Sequence, residues 1–174
     1  MGKNNKVVLY IAMSLDGYIA RPNGDVDWLM AIDGDGDNGY CAFYETIGTV
    51  VMGRATYEEI LVLSEEYPYI GKKNYVLSRS EQPAAPHVTF TSESLASLIP
   101  QLKEEAEGDV WIVGGGKVVK DCLDLGLIDE MEIAIAPTVL GEGIPLFPAG
   151  MKENVYTLTH AGTSGQFVML KYKK

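Results

Sequence analysis

The chain has 174 residues, 47% of them hydrophobic and 22% charged, and a formal net charge of −10 at pH 7. This is the length of one domain, so we expect residues 1–174 to form a single domain. So acidic a surface repels phosphate backbones and anionic lipids, which argues against nucleic-acid and membrane partners but is compatible with an anionic small molecule held in a local basic pocket. Because no signal peptide or membrane-spanning apolar run is evident, we expect a cytoplasmic protein.

Short apolar runs bounded by turn residues predict eight strands along the chain. They cover residues 7–13, 49–52, 74–77, 87–90, 109–113, 130–136, 155–160 and 166–172. The last two strands are close enough in sequence to form a terminal antiparallel hairpin.

Helical patterns lie between several of these strands. Thr56 and Glu59 fit a capping box. Residues 95–108 contain an apolar helical face, in which Pro100 implies a kink or a late helix start. Further helices are predicted from about residue 37 and over 117–125. Strands that alternate with helices favour an α/β fold with a mostly parallel central sheet and a C-terminal antiparallel hairpin.

Two strand ends combine a positive charge with small or hydroxyl residues. In the first, Gly53 permits close backbone approach and Arg54 adds a guanidinium at a helix start, where backbone N–H groups favour an anion. In the second, Ser78 and Arg79 follow Leu77 at the end of a strand. Either segment alone is also compatible with an ordinary capped helix or a polar turn.

A run of three glycines follows the strand at 109–113 and opens the next helix. The segment is Val113-Gly114-Gly115-Gly116-Lys117-Val118. Without side chains, its backbone amides are open to a pyrophosphate. It is neither a Walker A loop nor a G-x-G-x-x-G motif, and a tight turn with close helix packing is the alternative. Together, the three strand ends suit a phosphorylated dinucleotide.

The segment 33–39 is rich in aspartate and glycine and imitates a calcium loop. An EF-hand loop needs glycine at its sixth position and glutamate at its twelfth. Asn38 and Tyr44 occupy those positions here, so no metal site is predicted. An aspartate at the start of the following helix, beside apolar residues, would be partly buried and proton-active.

Four segments in order resemble the dihydrofolate reductase superfamily: residues 12–20, 52–58, 77–79 and 112–116. The Ser-Leu-Asp-Gly turn at 14–17 and the segment 136–147 resemble the reductase domain of riboflavin biosynthesis and its stand-alone relatives. The resemblance implies a three-layer α/β/α fold. It further implies hydride transfer from NADPH to a pterin-like or ribosylaminopyrimidine-like substrate. A homodimer is consistent with the same resemblance.

The resemblance also implies roles for individual residues. Arg54 and Ser78 would face the 2′-phosphate with Arg79 nearby, which favours NADPH without excluding NADH. Ala12 and Ile19 would line the nicotinamide site. The candidate cofactor-binding residues are Ala12, Ile19, Gly53, Arg54, Thr56, Leu77, Ser78, Arg79, Val113, Gly114, Gly115, Gly116, Lys117 and Val118.

Folate reductases use a carboxylate on the helix before the Met-Gly-Arg strand to assist protonation of the substrate. The family's spacing implies that Asp37 has this role, with Asp35 and Asp27 as alternatives. A different hypothesis is a nucleotide-binding protein that keeps the cofactor turns but has no working proton donor. A metal-binding module built on the Asp/Gly-rich loop is the third.

Overall fold

A computed structural model describes residues 4–174 of the chain. The strands are β1 (Val7–Met13), β2 (Tyr18–Ala20), β3 (Ile47–Gly53), β4 (Lys73–Leu77), β5 (Thr89–Thr91), β6 (Asp109–Gly114), β7 (Glu130–Ile135), β8 (Ile144–Pro145), β9 (Thr157–Ser164) and β10 (Phe167–Lys173). The helices are α1 (Asp27–Met30), α2 (Tyr40–Glu45), α3 (Arg54–Leu63), α4 (Leu95–Glu105) and α5 (Gly116–Asp124).

An eight-stranded sheet forms the centre of the fold, in the order β5-β4-β3-β6-β1-β7-β10-β9. The pairs from β5 through β7 are all parallel. The strand β10 pairs antiparallel with β7, and β9 pairs antiparallel with β10 at the sheet edge. A mostly parallel sheet with a C-terminal antiparallel hairpin was predicted, and that prediction is confirmed.

Alternate residues of a strand pack into different hydrophobic clusters, one on each face of the sheet. In β6, Val110 and Ile112 pack in a cluster with residues of α4 and α5. Trp111, between them, packs in a second cluster with Tyr57 of α3. Because successive residues of a strand point to opposite faces, helices cover the sheet on both sides. The three-layer α/β/α arrangement is therefore confirmed.

Three local predictions were wrong. Thr56 does not cap α3, because β3 runs directly into the helix and Gly53 occupies the cap position without a side-chain hydrogen bond. Pro100 does not delay α4, which begins at Leu95 with Ser94 as its cap. His87 lies outside β5, since its φ of 70° turns the chain away from an extended conformation.

Three short elements were not predicted. The strands β2 and β8 pair antiparallel as a separate two-stranded sheet. The helix α1 has four residues, too few for a periodic pattern to reveal. In the described part of the chain, no helix has the length and apolar character needed to cross a membrane.

The segment around β8 packs directly on the first turn of α5. A Cβ atom added to Gly116 would lie 2.5 Å from the carbonyl oxygen of Pro145. Gly116 is itself buried. Only glycine therefore lets the 144–148 segment approach this helix so closely.

We expect Gly116→Ala to lower the free energy of unfolding by about 1–3 kcal/mol, the usual cost of overpacking. Urea unfolding followed by circular dichroism measures the change. Lys117→Ala is the matched control, because Lys117 is exposed in the same turn, and we expect it to stay within about 0.5 kcal/mol of the parent. Equal stability of both variants would contradict the close approach.

Candidate functional site

The three strand ends singled out in the sequence meet at one edge of the sheet. Gly53 pairs with Leu77 at the ends of β3 and β4. Met52 pairs with Gly114 at the end of β6. Because these strands are parallel, their carboxyl ends share the edge at which α/β sheets bind ligands. The sheet topology thus brings together segments that are far apart in sequence.

The starts of α3 and α5 lie side by side at this edge. A Cβ atom added to Gly115 would lie 3.4 Å from Oγ1 of Thr56, and one added to Gly53 would lie 3.3 Å from Cγ2 of Val118. The peptide bond between Gly114 and Gly115 is cis. We call this space, bounded by Gly53, Thr56 and Gly115, the glycine cradle.

Neither helix that begins at the glycine cradle has a side-chain cap. Each also carries a cation and no acid in its first turn, Arg54 in α3 and Lys117 in α5. A cation at a helix N-terminus opposes the helix dipole. By contrast, Ser94 caps α4 by accepting a hydrogen bond from the backbone N–H of Ser97 at 3.3 Å. The glycine cradle is therefore arranged to hold an anion.

Lys117 and Arg79 are the unpaired cations of this edge. Both side chains are exposed. Neither makes a hydrogen bond or an ion pair with any residue of the described range 4–174. In a chain with a net charge of −10, two unpaired cations beside uncapped helix starts create a local positive potential.

The turn after β4 has an internal hydrogen-bond network centred on Ser80. Ser78 is buried, and its hydroxyl donates to the carbonyl oxygen of Ser80 at 2.8 Å. Arg54 Nη1 donates to Oγ of Ser80 at 3.3 Å, and Gln82 Nε2 donates to the same oxygen at 2.9 Å. The hydroxyl that contacts Arg54 is thus that of Ser80, while Ser78 holds the turn. Ser80 and Gln82 were not among the predicted site residues.

Ala12 and Ile19 flank a turn that is fastened to a distant loop. The hydroxyl of Ser14, which is fully buried, donates to Oδ1 of Asp16 at 2.6 Å. Asp16 also accepts the backbone N–H groups of Leu140 at 3.1 Å and Gly141 at 2.8 Å. The hydrogen bond from Ser14 is the largest cause of a lowered pKa of the Asp16 carboxyl, and the two backbone hydrogen bonds lower it further. We call this arrangement the Asp16 clamp.

Asp37 is exposed, contrary to the predicted partial burial, and its carboxylate caps the start of α2 from two residues before Gly39, which occupies the cap position. Its carboxylate accepts the backbone N–H groups of Gly39 at 3.0 Å and Cys41 at 2.8 Å. A hydrogen bond from the Cys41 thiol and these backbone bonds lower the pKa of Asp37. The helix itself begins at Tyr40 rather than near residue 37, because the preceding residues form the capping turn.

The two alternative aspartates are exposed as well. Asp27 accepts a hydrogen bond from Arg21 Nε at 2.7 Å, and this contact lowers its pKa. All three carboxylates are exposed, and the pKa values of Asp27 and Asp37 are lowered rather than raised. A neutral acid poised to give up a proton at pH 7 is therefore not found at Asp27 or Asp37.

Four rings form an aromatic wall between α2 and the sheet: Tyr40 and Phe43 of α2, Tyr10 of β1 and Trp111 of β6. Tyr10 stacks on Phe43 with ring centroids 4.1 Å apart, and Phe43 meets Trp111 edge-on at 5.2 Å. Burial, followed by the negative charges of Glu132 and Asp37, raises the pKa of Tyr10 to about 12. Tyr10 was not among the predicted site residues. Its position two residues before Ala12, on the same face of the strand, was the signal in the sequence that could have found it.

A cavity of about 560 Å³ lies away from the glycine cradle, between α2 and the strands β7, β9 and β10. Its wall carries charges of both signs that neutralise each other. Lys6 pairs with Glu130 at 2.8 Å, and Lys171 pairs with Glu132 at 3.6 Å. Because these charged side chains are already paired, the cavity has fewer free partners for a charged ligand than the uncapped helix starts have. In the described range, His, Cys, Asp and Glu side chains form no cluster suited to a metal ion.

The lowered pKa of Asp37 predicts a specific loss of stability in acid. A carboxyl whose pKa is depressed by folding stabilises the protein above its unfolded pKa, about 3.9, and this stabilisation is lost as the pH falls through the folded value. We expect Asp37→Asn to lower the free energy of unfolding at pH 7. We also expect the free energy of unfolding to differ less between pH 7 and about pH 3 in this variant than in the parent.

Urea unfolding midpoints of the parent, Asp37→Asn and Asp35→Asn at both pH values measure this effect. Asp35→Asn is the control, because no hydrogen bond or ion pair joins the Asp35 side chain to the residues that the structure describes. A pH dependence of Asp37→Asn equal to that of the parent would show that the carboxylate does not cap α2 in solution.

Comparisons with known proteins identify the family. The model of the RibD C-terminal domain family matches residues 5–170. The uncharacterized protein YwjB of Bacillus subtilis (strain 168) is 44% identical over 168 residues, which cover 96% of this chain and 97% of YwjB. A Shewanella sp. PV-4 protein, provisionally assigned to riboflavin biosynthesis, has a TM-score of 0.87 at 29% identity and covers 97% of this chain and 98% of its own.

Two more distant structures share the fold. The Thermotoga maritima diaminohydroxyphosphoribosylaminopyrimidine deaminase/5-amino-6-(5-phosphoribosylamino)uracil reductase has a TM-score of 0.71 at 21% identity, over 97% of this chain and 56% of that longer one. The dihydrofolate reductase of Enterococcus faecalis, complexed with NADP(H), has a TM-score of 0.72 at 18% identity, over 99% and 98% of the two chains. The chain therefore belongs to the RibD C-terminal domain family and has the dihydrofolate-reductase-like fold.

Proposed function

We propose that this chain is an NADPH-dependent reductase that acts on a small pterin-like or ribosylaminopyrimidine-like substrate. The observation that carries the proposal is the pair of adjacent, uncapped helix starts, each with a cation in its first turn. A dinucleotide supplies two linked phosphates for such a pair of anion sites. The relatives support the reductase class, since one is named a uracil-derivative reductase and another was solved with NADP(H).

The residues of the glycine cradle fit a pyrophosphate. Gly115 and Gly53 carry no Cβ atom that would crowd the two helix starts, and the Thr56 hydroxyl borders the same place. In this proposal, Lys117 and the helix N–H groups neutralise the pyrophosphate, while Arg54 and Arg79 face the 2′-phosphate. NADPH supplies the hydride when bound, and the protein supplies orientation and charge.

On the substrate side, Ala12 and the aromatic wall orient a flat heterocycle in the proposed function. Aromatic side chains bind planar rings by stacking. Tyr10 lies two residues from Ala12 on one strand face and stays protonated at neutral pH, because its pKa is raised to about 12. Asp37, whose role in proton transfer stays a prediction, lies close enough to contribute to that rise.

A second candidate is a nucleotide-binding protein without reductase activity. One observation favours it: the Asp37 carboxylate is exposed and committed to the α2 cap. Both functions predict cofactor binding, so binding alone does not separate them. Oxidation of NADPH at 340 nm with 7,8-dihydrofolate or 5-amino-6-(5-phosphoribosylamino)uracil does, because only a reductase turns over.

Thermal unfolding with and without NADPH tests the cofactor site. A ligand present at about 100 times its Kd and bound only to the native state adds about 2.7 kcal/mol. For a domain of this size, that corresponds to a rise in Tm of about 5–10 °C. An unchanged Tm at millimolar NADPH would contradict both candidate functions.

Lys117→Gln is expected to weaken NADPH and NADH binding alike, by about tenfold each, because both cofactors carry the same pyrophosphate. Lys120→Gln removes the same charge one turn later in α5, where Lys120 pairs with Asp124 at 2.6 Å. We expect this control to leave both Kd values within about twofold of the parent. Isothermal titration calorimetry measures the six constants, for two cofactors with the parent and each variant, and equal effects of the two variants would exclude Lys117 from the pyrophosphate site.

A further inference from the structure

Arg54, which the proposed function directs at the 2′-phosphate, is already engaged by a carboxylate. Its Nε lies 3.0 Å from Oε1 of Glu58, one turn later in α3. Its Nη1 donates to the Ser80 hydroxyl at 3.3 Å. Both side chains remain about half exposed, 46% for Arg54 and 59% for Glu58. The positive charge of Arg54 is therefore offset by a negative charge at the same spot.

This ion pair has the less favourable orientation for a helix. Pairs at this spacing stabilise a helix better when the acid precedes the base, which agrees with the helix dipole. Here the base comes first, at the helix N-terminus. Helix stability alone is therefore a weak reason for placing Glu58 against Arg54.

We infer that Glu58 sets the preference between NADPH and NADH and lowers the preference for NADPH. The inference rests on the proposed function. A 2′-phosphate brings about two negative charges next to Arg54, and the Glu58 carboxylate repels them. The 2′-hydroxyl of NADH brings no charge, and a carboxylate is the group that accepts its hydrogen bond in many dinucleotide sites.

The neighbouring acid on the helix points elsewhere. Oε2 of Glu59 lies 3.4 Å from the position of a Cβ atom added to Gly24, in the turn after β2. Glu59 forms no ion pair with Arg54. It therefore offers a matched control, since Glu59→Gln changes the net charge by the same amount without altering the ion pair.

The test measures Kd values for NADPH and NADH with the parent, Glu58→Gln and Glu59→Gln by isothermal titration calorimetry at low ionic strength. With Glu58→Gln, we expect NADPH to bind about three- to tenfold more tightly and NADH to bind equally well or more weakly. With Glu59→Gln, both constants should stay within about twofold of the parent. The gain for NADPH should shrink in about 0.5 M salt, where exposed charges are screened.

Three results would overturn the inference. If Glu58→Gln shifts the Kd values for NADPH and NADH by the same factor, or leaves both unchanged, Glu58 does not discriminate between the two cofactors. Glu58→Gln that weakens NADPH shows that Glu58 instead positions Arg54 for the phosphate. If the folded parent binds neither cofactor, the proposed function itself fails, which the first two results do not imply.

Discussion

The candidate site depends on two helices that begin at neighbouring strand ends without side-chain caps. The start of a helix leaves several backbone N–H groups without partners, and proteins usually satisfy some of them with a serine, threonine or aspartate. At α3 and α5 the cap residues are Gly53 and Gly115, which have no side chain to offer. The fold thus keeps two sets of donors free at one place, and the parallel pairing of β3 with β6 fixes their separation.

In the function proposed here, this arrangement is what would let so acidic a protein bind an anionic ligand. A net charge of −10 repels anions at long range. At short range, however, backbone dipoles and unpaired cations outweigh distant carboxylates, because salt screens exposed charges beyond about 10 Å. Arg79 and Lys117 are exposed at the same sheet edge and carry no counter-charge from the described residues. The helix starts and these two cations therefore supply local positive charge in a chain whose net charge is negative.

The sequence predicted what depends on local pattern. Strand β1 was predicted with its observed ends because apolar side chains lie on both of its faces. The glycines at 114–116 were recognised because three residues without side chains come directly after a buried apolar run. Features that depend on which strands become neighbours were missed. Ser80 contacts Arg54 only because β4 pairs with β3. The burial of Asp37 was predicted wrongly, since the path of the loop before α2 is decided by its own hydrogen bonds.

The Asp16 clamp joins two segments that the chain separates by more than a hundred residues. Its carboxylate is bound at once to the turn after β1 and to the backbone at Leu140 and Gly141, and Ser14 anchors it from a fully buried position. Either segment can move alone only after these hydrogen bonds break. The turn after β1 and the backbone at residues 140–141 thus behave as one mechanical unit, and any displacement of one has to carry the other with it.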